Sequence, residues 1–537
     1  MRTLGFTRST SVQERQFHVD SAQDLTRRLD GGRGCRSRRG CGKRRSRRAA
    51  DGRDLAVAAA HAQSSRSAGR GRAAPAVRRG SRHRDDRLLD QPQSVRRPRI
   101  HLGSPGGGTG QTVEAETRTY RDALSQQEVY VHHARITGLR PDTTYLYSAG
   151  HDGAAQETGS FTTAPRGRAA FTFTSFGDQG TPNLRRSLKW PTEDTPPPLG
   201  PFRLYTSTQG GTEASADIVA AVERVGPLFN LINGDLCYAG VAGAIGEDRV
   251  ATWADWFINN SRSARLRPWM PCVGNGETEK GNGPLGVTGY QTYFALPDAT
   301  TATDEETRGL WYAFTVGGVR FISLANDDVA IVDSGDIYLR GYSGGAQRRW
   351  LERELQAARA STAVDWIVVF MHHPMISSHR SGGGDLGVRQ EWGPLFDAYG
   401  VDLVLCGHEH YYERSLPLRG TLPNETRTPI PVSTGTDVAD TGKGTVHMVI
   451  GGGGNFATTQ DDLFEEPKGR VVVDVGKVPE GRHRKAFYLT EDAPGAPSRT
   501  ASTPMASPPS TSTRAPVAPD APGCTSRTTP STAPTES

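Results

Sequence analysis

Two histidines stand two residues apart in Gly407–His410, directly after the largely apolar run Val401–Cys406. The run has the composition of a buried strand, so both imidazoles are expected in the loop beyond its carboxyl end. Imidazole is the commonest protein ligand of metal ions. Side chains at i and i+2 of an extended chain point the same way, so His408 and His410 are predicted to face one metal centre.

Four further strand-like runs end in polar residues of the same kind. The polar segments are Gly177–Gly180, Asn233–Tyr238, Gly274–Glu277 and His372–Pro374. In an open α/β sheet the carboxyl ends of the strands lie along one edge, where ligands bind. The sequence therefore predicts one metal site, built from Asp178, Asp235, Tyr238, Asn275, His372, His408 and His410.

Together these five motifs resemble the signature of the purple acid phosphatases, which belong to the calcineurin-like metallophosphoesterases. The resemblance covers roughly residues 95–485, and Tyr238 carries much of its specificity because most of the superfamily lacks a phenolate ligand. It implies an α/β fold, with a metallophosphoesterase β-sandwich flanked by helices in αββα layers. It also implies a small all-β, fibronectin type III-like domain in front.

The resemblance further implies a division of the seven ligands between two metals. One metal would be held by Asp178, Tyr238 and His410, the second by Asn275, His372 and His408, and both by Asp235. Oxygen anions suit Fe(III), and the second donor set suits a divalent Zn, Mn or Fe(II) ion. Such a pair binds a phosphoryl group and activates water for in-line attack on phosphorus.

The implied reaction is the hydrolysis of phosphomonoesters at acid pH, on a small phosphorylated substrate. Two alternatives stay open from the sequence. One is a phosphodiesterase or nucleotide pyrophosphatase on the same scaffold, since the motifs do not fix the leaving group. The other is a catalytically impaired homologue that binds metal or phosphate, which Gly276 suggests.

Gly276 marks the departure from the family pattern. Purple acid phosphatases carry a histidine there, which hydrogen-bonds the phosphate or assists the leaving group. A replacement donor is therefore expected on the next loop. His373 follows the ligand His372 directly and would point away on an extended strand, so His379 is the better candidate.

Composition predicts four segments in the 537-residue chain. Residues 1–92 are rich in Arg and Gly, and residues 490–537 in Pro, Ser and Thr; both are expected to be disordered. Short strands over residues 93–166 predict a small fibronectin type III-like sandwich without convincing first strands, whose corner is Leu139–Tyr145. Apolar strands alternating with amphipathic helices predict a catalytic domain over residues 169–489.

Charge separates the leader from the rest of the chain. Residues 1–100 hold 25 Arg, one Lys and nine acidic residues, a net charge of +17, whereas the whole chain carries only +6. The remainder is therefore acidic, which argues against nucleic acid as a partner. No apolar run reaches the ~18 residues of a membrane span, so no membrane partner is expected. The resemblance implies a secreted or cell-envelope location, although no clear signal peptide is present.

A histidine at position 276 should restore the contribution of the absent imidazole. We expect Gly276→His to raise the rate constant of phosphomonoester hydrolysis by about tenfold or more, because a positioned proton donor contributes about 10²–10⁴-fold. Phosphate release from a chromogenic monoester measures the change. An unchanged or lower rate would contradict the interpretation of Gly276 as an open position.

Overall fold

The computed structural model describes residues 3–6, 17–18, 95–103, 110–123, 126–153, 155–182, 213–240, 249–279, 281–297, 305–332, 338–435, 438–455, 458–465, 467–480, 483–493 and 498–501. All of these residues belong to one unit, Met1–Pro504. Most of the leader (residues 1–92) and most of the tail (residues 490–537) lie outside the described residues, so the disorder predicted there stays a prediction.

Short strands occur inside both segments that were predicted to be disordered. In the leader, β1 (Thr3–Phe6) pairs antiparallel with β2 (Phe17–His18) and with Val438–Asp440. In the tail, Ser498–Ala501 pairs antiparallel with Tyr411–Arg414. Pairing through backbone hydrogen bonds needs no apolar periodicity, so the sequence pattern does not indicate these short strands.

An all-β unit precedes the larger domain. Its strands are β3 (Arg99–Gly103), β4 (Gln111–Glu114), β5 (Glu116–Arg121), β6 (Glu128–His133), β7 (Thr144–Gly150) and β8 (Glu157–Thr162). One sheet has the order β4-β3-β7-β8, and β5 and β6 form a separate ribbon. At the predicted corner the Arg140 N–H donates to Tyr145 Oη (2.9 Å), a contact typical of tyrosine corners in immunoglobulin-like sandwiches.

The larger domain alternates strands and helices. Its strands are β9 (Phe173–Phe176), β10 (Phe229–Asn233), β11 (Trp269–Cys272), β12 (Tyr312–Val316), β13 (Val319–Ser323), β14 (Trp366–Phe370), β15 (Gly384–Asp385), β16 (Leu403–Cys406), β17 (Tyr411–Arg414), β18 (Leu418–Thr421), β19 (Pro429–Pro431), β20 (Val438–Asp440), β21 (Val446–Ile450), β22 (Lys468–Glu480), β23 (His483–Asp492) and β24 (Ser498–Ala501). Its helices are α1 (Ala214–Val225), α2 (Arg249–Ala264), α3 (Thr288–Tyr293), α4 (Ala346–Ala360), α5 (Leu386–Glu391) and α6 (Gly393–Tyr399).

Two sheets of this domain pack face to face. One has the parallel order β11-β10-β9, and the other is mixed, with the order β12-β13-β14-β16-β21-β17-β24. Phe173 and Phe229 of the first sheet stack at 5.7 Å, and Phe321 of the second meets both edge-on at 5.2 Å. Alternate residues of the same strands pack outward against α2, α4 and α6. The predicted αββα layers are therefore observed.

The sequence missed details where local signals are weak. Periodicity over Gln390–Ala398 predicts one helix, whereas the structure has α5 and α6. Pro394 lies in the first turn of α6 and has no backbone N–H to continue the preceding helix. The strands β12 and β17 and the hairpin β22–β23 were not predicted, because their alternation of apolar and polar residues is irregular.

A buried ion cluster fixes the β5–β6 ribbon to the larger domain. The Arg249 guanidinium on α2 lies 3.2 Å from Asp122 Oδ1 and 3.1 Å from Glu279 Oε2. Tyr120 on β5 donates its hydroxyl hydrogen to Glu279 Oε1 at 2.7 Å. Glu279 follows β11 and the third motif, so the all-β unit braces one of the loops that carry predicted ligands.

A second buried ion pair ties the C-terminal hairpin to the domain. Arg389 on α5 donates from two nitrogens to the Glu491 carboxylate, at 2.6 and 2.9 Å, and the guanidinium is fully buried. The same guanidinium donates to the carbonyl oxygens of Met375 and Thr426. Glu491 lies within the segment that was predicted to begin a disordered tail, and in the structure it is part of β23.

We expect Glu491→Ala to destabilise the protein by about 3–5 kcal/mol, because it leaves the buried Arg389 charge without its partner. Chemical denaturation measures the loss. The matched control is Asp492→Ala, since the neighbouring Asp492 forms only an exposed pair with Lys468. Equal stability of the two variants would contradict the assigned role of Glu491.

Candidate metal centre

The seven predicted ligands lie at the carboxyl ends of strands from both sheets. A backbone hydrogen bond joins the two edges, from the Gly177 N–H to Ile450 O (2.9 Å), and a second links two loops of the mixed sheet, from the Gly407 N–H to His372 O (3.0 Å). The loops then turn within a residue or two. Four of the seven adopt left-handed backbone conformations, namely Asp178 (φ 61°), Asp235 (49°), Tyr238 (59°) and His408 (71°). Such conformations in residues other than glycine concentrate at functional sites.

Three of the seven side chains form a first cluster. Tyr238 Oη lies 3.3 Å from Asp178 Oδ1 and 3.1 Å from His410 Nε2. His410 Nε2 lies 3.2 Å from Asp178 Oδ1. All three side chains are buried. The structure thus brings together the phenol, the carboxylate and the imidazole that the sequence assigned to one metal.

Three others form a second cluster. Asn275 Oδ1 lies 2.8 Å from His372 Nε2 and 3.0 Å from His408 Nδ1. The two imidazole nitrogens are 3.2 Å apart. His408 therefore points to the second cluster and His410 to the first. The left-handed turn at His408 removes the alternation of an extended strand.

Asp235 lies where the two clusters meet. Its Oδ1 is 3.1 Å from His372 Nε2 and accepts the Gly276 N–H at 2.5 Å. One ligand atom from each of Asp178, Asp235 and His372 lies within 4.8 Å of the other two. A carboxylate in that place can serve both donor sets, as the sequence predicted.

Hydrogen bonds orient several of these donors. The carbonyl of Asn233 lies 2.8 Å from His372 Nδ1, which assigns the ring proton to Nδ1 and leaves the Nε2 lone pair in the cluster. The His408 N–H donates to Asp178 Oδ2 at 2.8 Å. Both contacts link strands of different sheets, so the donors of one loop are held by the backbone of another.

Two glycines permit the close approach of these loops. A Cβ at Gly407 would lie 2.5 Å from both Asn233 O and Asp178 Oδ2, and a Cβ at Gly274 would lie 2.1 Å from Asp235 N. No side chain fits at either position without displacing a predicted ligand. Gly451 is as tight, since its Cβ would lie 2.7 Å from Asp178 Oδ2.

The electrostatics of the first cluster fit a cation. Burial, and then the charges of Asp178 and Asp235, raises the pKa of Tyr238 well above its usual value. Burial is the largest influence on the pKa of Asp235 and raises it, but His372, the Gly276 N–H and His408 together outweigh burial and lower that pKa. A phenol in these surroundings becomes a phenolate only beside a strongly charged cation. The donor set and its close packing therefore fit a resident metal.

Position 276 is not the open space that the sequence suggested. A Cβ there would lie 2.9 Å from Asp235 Oδ1 and 3.0 Å from the Tyr238 ring. A side chain at 276 must displace one of two predicted ligands by a few tenths of an ångström. The glycine therefore does two things: it removes the family's imidazole, and it lets the peptide N–H reach Asp235.

His373 and His379, the two histidines considered as proton donors, lie in different surroundings. His379 Nδ1 is 2.8 Å from Glu409 Oε2, and the His379 side chain is 15% exposed. His373 is buried, with its ring 4.4 Å from that of His408, so the expectation that it points away from the site is wrong. Asn326 Oδ1 lies 3.1 Å from His373 Nδ1 and accepts the His373 backbone N–H. Burial, and then His408 and His372, holds the pKa of His373 well below its usual value, which makes it a poor proton donor.

Two residues with a structural part in the site were missed by sequence reasoning. Glu277 is buried and accepts the N–H groups of Leu236 (2.7 Å) and Gly274 (3.1 Å), so it fixes the loop that carries Asp235 and Tyr238. Burial, and then the charge of Asp235, raises the pKa of Glu277 to about 8. Asn455 donates its backbone N–H to Asp178 O at 3.0 Å. Glu277 ends the third motif and Asn455 follows the glycine run Gly451–Gly454, but neither position by itself indicates a role in holding the loops.

Comparison with known proteins agrees with the family resemblance of the sequence motifs. The purple acid phosphatase N-terminal domain family matches residues 90–163, and the calcineurin-like phosphoesterase family matches residues 207–412. The chain is 54% identical over 403 residues to an uncharacterized protein of Mycobacterium tuberculosis, which covers 75% of this chain and 73% of that protein. It is 27% identical over 377 residues to purple acid phosphatase 23 of Arabidopsis thaliana, covering 66% and 69% of the two chains.

Among solved structures, a purple acid phosphatase from yellow lupin (Lupinus luteus) seeds aligns with a TM-score of 0.48 at 21% identity. The alignment covers 67% of this chain and 60% of the lupin chain, and the likeness is too low to add to the assignment.

The fold and the strand-end motifs define a metallophosphoesterase, a hydrolase of phosphoesters. Within that class, the chain belongs to the purple acid phosphatase type. Among the helices that the structure describes, none has the length and apolar character needed to cross a membrane.

The crowding at position 276 sharpens the expected effect of a histidine there. Gly276→Ala should slow phosphoester hydrolysis, because its Cβ presses on Asp235 Oδ1. Gly276→His carries the same Cβ and adds the imidazole, so its kcat should exceed that of Gly276→Ala by about tenfold or more. Metal analysis of both variants controls for displaced ligands. Equal kcat values with equal metal content would show that no proton donor is missing at this position.

Proposed function

We propose that this protein is a dinuclear, metal-dependent phosphomonoesterase of the acid phosphatase type. The observation that carries the proposal is the convergence of seven donor side chains into two abutting clusters at one edge of the paired sheets. Asp178, Tyr238 and His410 would hold Fe(III), Asn275, His372 and His408 would hold divalent Zn, Mn or Fe(II), and Asp235 would be shared.

The chemistry of the donors supports this division. Phenolate and carboxylate oxygens are hard, anionic donors that favour Fe(III), whereas imidazole and amide donors suit a divalent ion. When bound, two such ions supply Lewis-acid charge for the phosphoryl oxygens and an activated water. His372 presents its Nε2 lone pair to the second cluster because the Asn233 carbonyl lies against Nδ1.

Hydrolysis also requires a side chain that donates a proton to the leaving-group oxygen. Gly276 supplies no side chain for this step, and His373 is buried and kept neutral. His379 is partly exposed and ion-paired with a carboxylate on the loop that carries His408 and His410. We therefore assign the proton donor to His379, and a small phosphorylated compound as the substrate class.

The preference between ester classes tests the proposal directly. Purified protein loaded with iron and zinc should release product faster from p-nitrophenyl phosphate than from bis(p-nitrophenyl) phosphate. A monoester offers one more anionic oxygen to the two-ion site. Faster cleavage of the diester would support a phosphodiesterase instead. Full metal content with no cleavage of either ester would support an impaired binding protein, as Gly276 suggests.

The predicted phenolate ligand gives an optical test. A Tyr238–Fe(III) charge-transfer band should colour the iron-loaded protein, and Tyr238→Phe should abolish the band because it removes the ligand oxygen. Tyr312→Phe is the matched control, since that buried phenol donates to Pro271 O (2.7 Å), away from the two clusters. Visible absorption with parallel iron analysis measures both variants. A band that survives in Tyr238→Phe would contradict the assigned iron ligand.

A further inference from the structure

Glu409 is the member of Gly407–His410 to which the proposed function gives no role. It stands between the two metal-directed imidazoles, and only 4% of the residue is exposed. Its carboxylate has two described contacts on the opposite loop. Oε2 lies 2.8 Å from His379 Nδ1, and Oε1 accepts the Gly383 N–H at 2.6 Å.

The loop that carries His379 is built closely around this carboxylate. A Cβ at Gly382 would lie 1.9 Å from Glu409 Oε1. The loop therefore approaches Glu409 this closely only because residue 382 is a glycine. The loop is held on its far side as well. The Arg380 N–H donates to Asp462 O (2.8 Å), and Gly384 on β15 pairs with Val471 on β22. The position of His379 is therefore set from two directions.

The contact also decides which ring nitrogen is available. The carboxylate lies against Nδ1, and a charge-assisted hydrogen bond to an anion is stronger than one to a neutral group. The Gly382 N–H also approaches Nδ1, at 2.9 Å, so the two shortest described contacts of the ring fall on Nδ1 and leave Nε2 as the nitrogen that exchanges a proton with a substrate. The Tyr411 ring, 6.0 Å away and nearly parallel to the imidazole, limits rotation of the His379 ring.

We propose that Glu409 is a positioning residue that fixes His379 as the proton donor for the leaving group. The inference rests on the proposed phosphomonoesterase function. As the ester P–O bond breaks, its electron pair stays on the leaving oxygen. The Nε2–H bond of His379 breaks, the proton joins that oxygen, and the imidazole becomes neutral. Solvent returns the proton through the exposed edge of the ring. Glu409 itself exchanges no proton.

The dyad takes the place that the family gives to the histidine of its third motif. That position is crowded here, because a side chain at Gly276 meets Asp235 and Tyr238. Glu409 belongs to the fifth motif and His379 to the loop that follows the fourth, so the pair joins the two loops that carry His372, His408 and His410. Its carboxylate is one residue from His408 and one from His410, so movement of the metal-binding loop and of the donor is coupled.

Two substrates that differ in leaving group test the inference. The nitrophenolate of p-nitrophenyl phosphate departs as an anion, whereas the alkoxide of glycerol phosphate requires a proton. His379→Ala should lower kcat for glycerol phosphate by about 10²-fold, and Glu409→Gln by about tenfold. Both variants should lower kcat for the nitrophenyl ester by less than about threefold. Glu409→Gln keeps an acceptor for the Gly383 N–H, so the loop is retained.

Three further readouts separate positioning from a structural role. The double variant should be no slower than His379→Ala alone, because the two residues act as one unit. KM and metal content should match those of the parent protein. Glu352→Gln, an exposed carboxylate on α4, is the matched control and should change neither substrate's kcat.

Several results would overturn the inference. Equal losses for both substrates, or loss of metal in Glu409→Gln, would mean that Glu409 only holds the loop. An unchanged kcat for glycerol phosphate in His379→Ala would show that His379 is not the proton donor. A parent protein that cleaves neither monoester would instead overturn the proposed function, and the inference with it. Failure of the inference alone leaves the parent protein active on both substrates.

Discussion

The structure depends on the meeting of two sheet edges. The carboxyl ends of β9, β10 and β11 meet those of β14, β16 and β21, and backbone hydrogen bonds such as Gly177 N–H to Ile450 O close the seam. β10, β11, β14 and β16 are buried along their whole length. The predicted ligands follow five of these six strands, all but β21, and therefore converge at this seam.

Close packing at the seam has an electrostatic consequence. Asp178, Asp235 and Tyr238 lie in one buried group with three imidazoles, and none of them can be solvated separately. The group is balanced when cations share the oxygen donors, because burial of an unpaired charge is costly. The same glycines that let the loops approach, Gly274 and Gly407, exclude the side chains that would hold them apart.

The departure at Gly276 and the pair formed by Glu409 and His379 belong to one arrangement. Where the peptide N–H at 276 reaches Asp235, no imidazole can stand without moving a ligand. An imidazole on the neighbouring loop is instead held by a carboxylate from the motif that supplies both metal-directed histidines. Glu277 and the Arg249 cluster stabilise the third loop from behind, so that the all-β unit contributes to the rigidity of the centre.

The sequence by itself determined the alternation of strands and helices in the larger domain and the identity of the residues at the strand ends, whereas the αββα layers were implied by the family resemblance. The alternation and the strand ends follow from local periodicity, which needs no knowledge of distant contacts. Only the tertiary structure decided that His373 faces the site and that position 276 is crowded. Both facts depend on side chains more than 30 residues away in the chain. The burial of Glu491 against Arg389 was likewise beyond the sequence, because its partner lies 102 residues earlier and leaves no periodic signal.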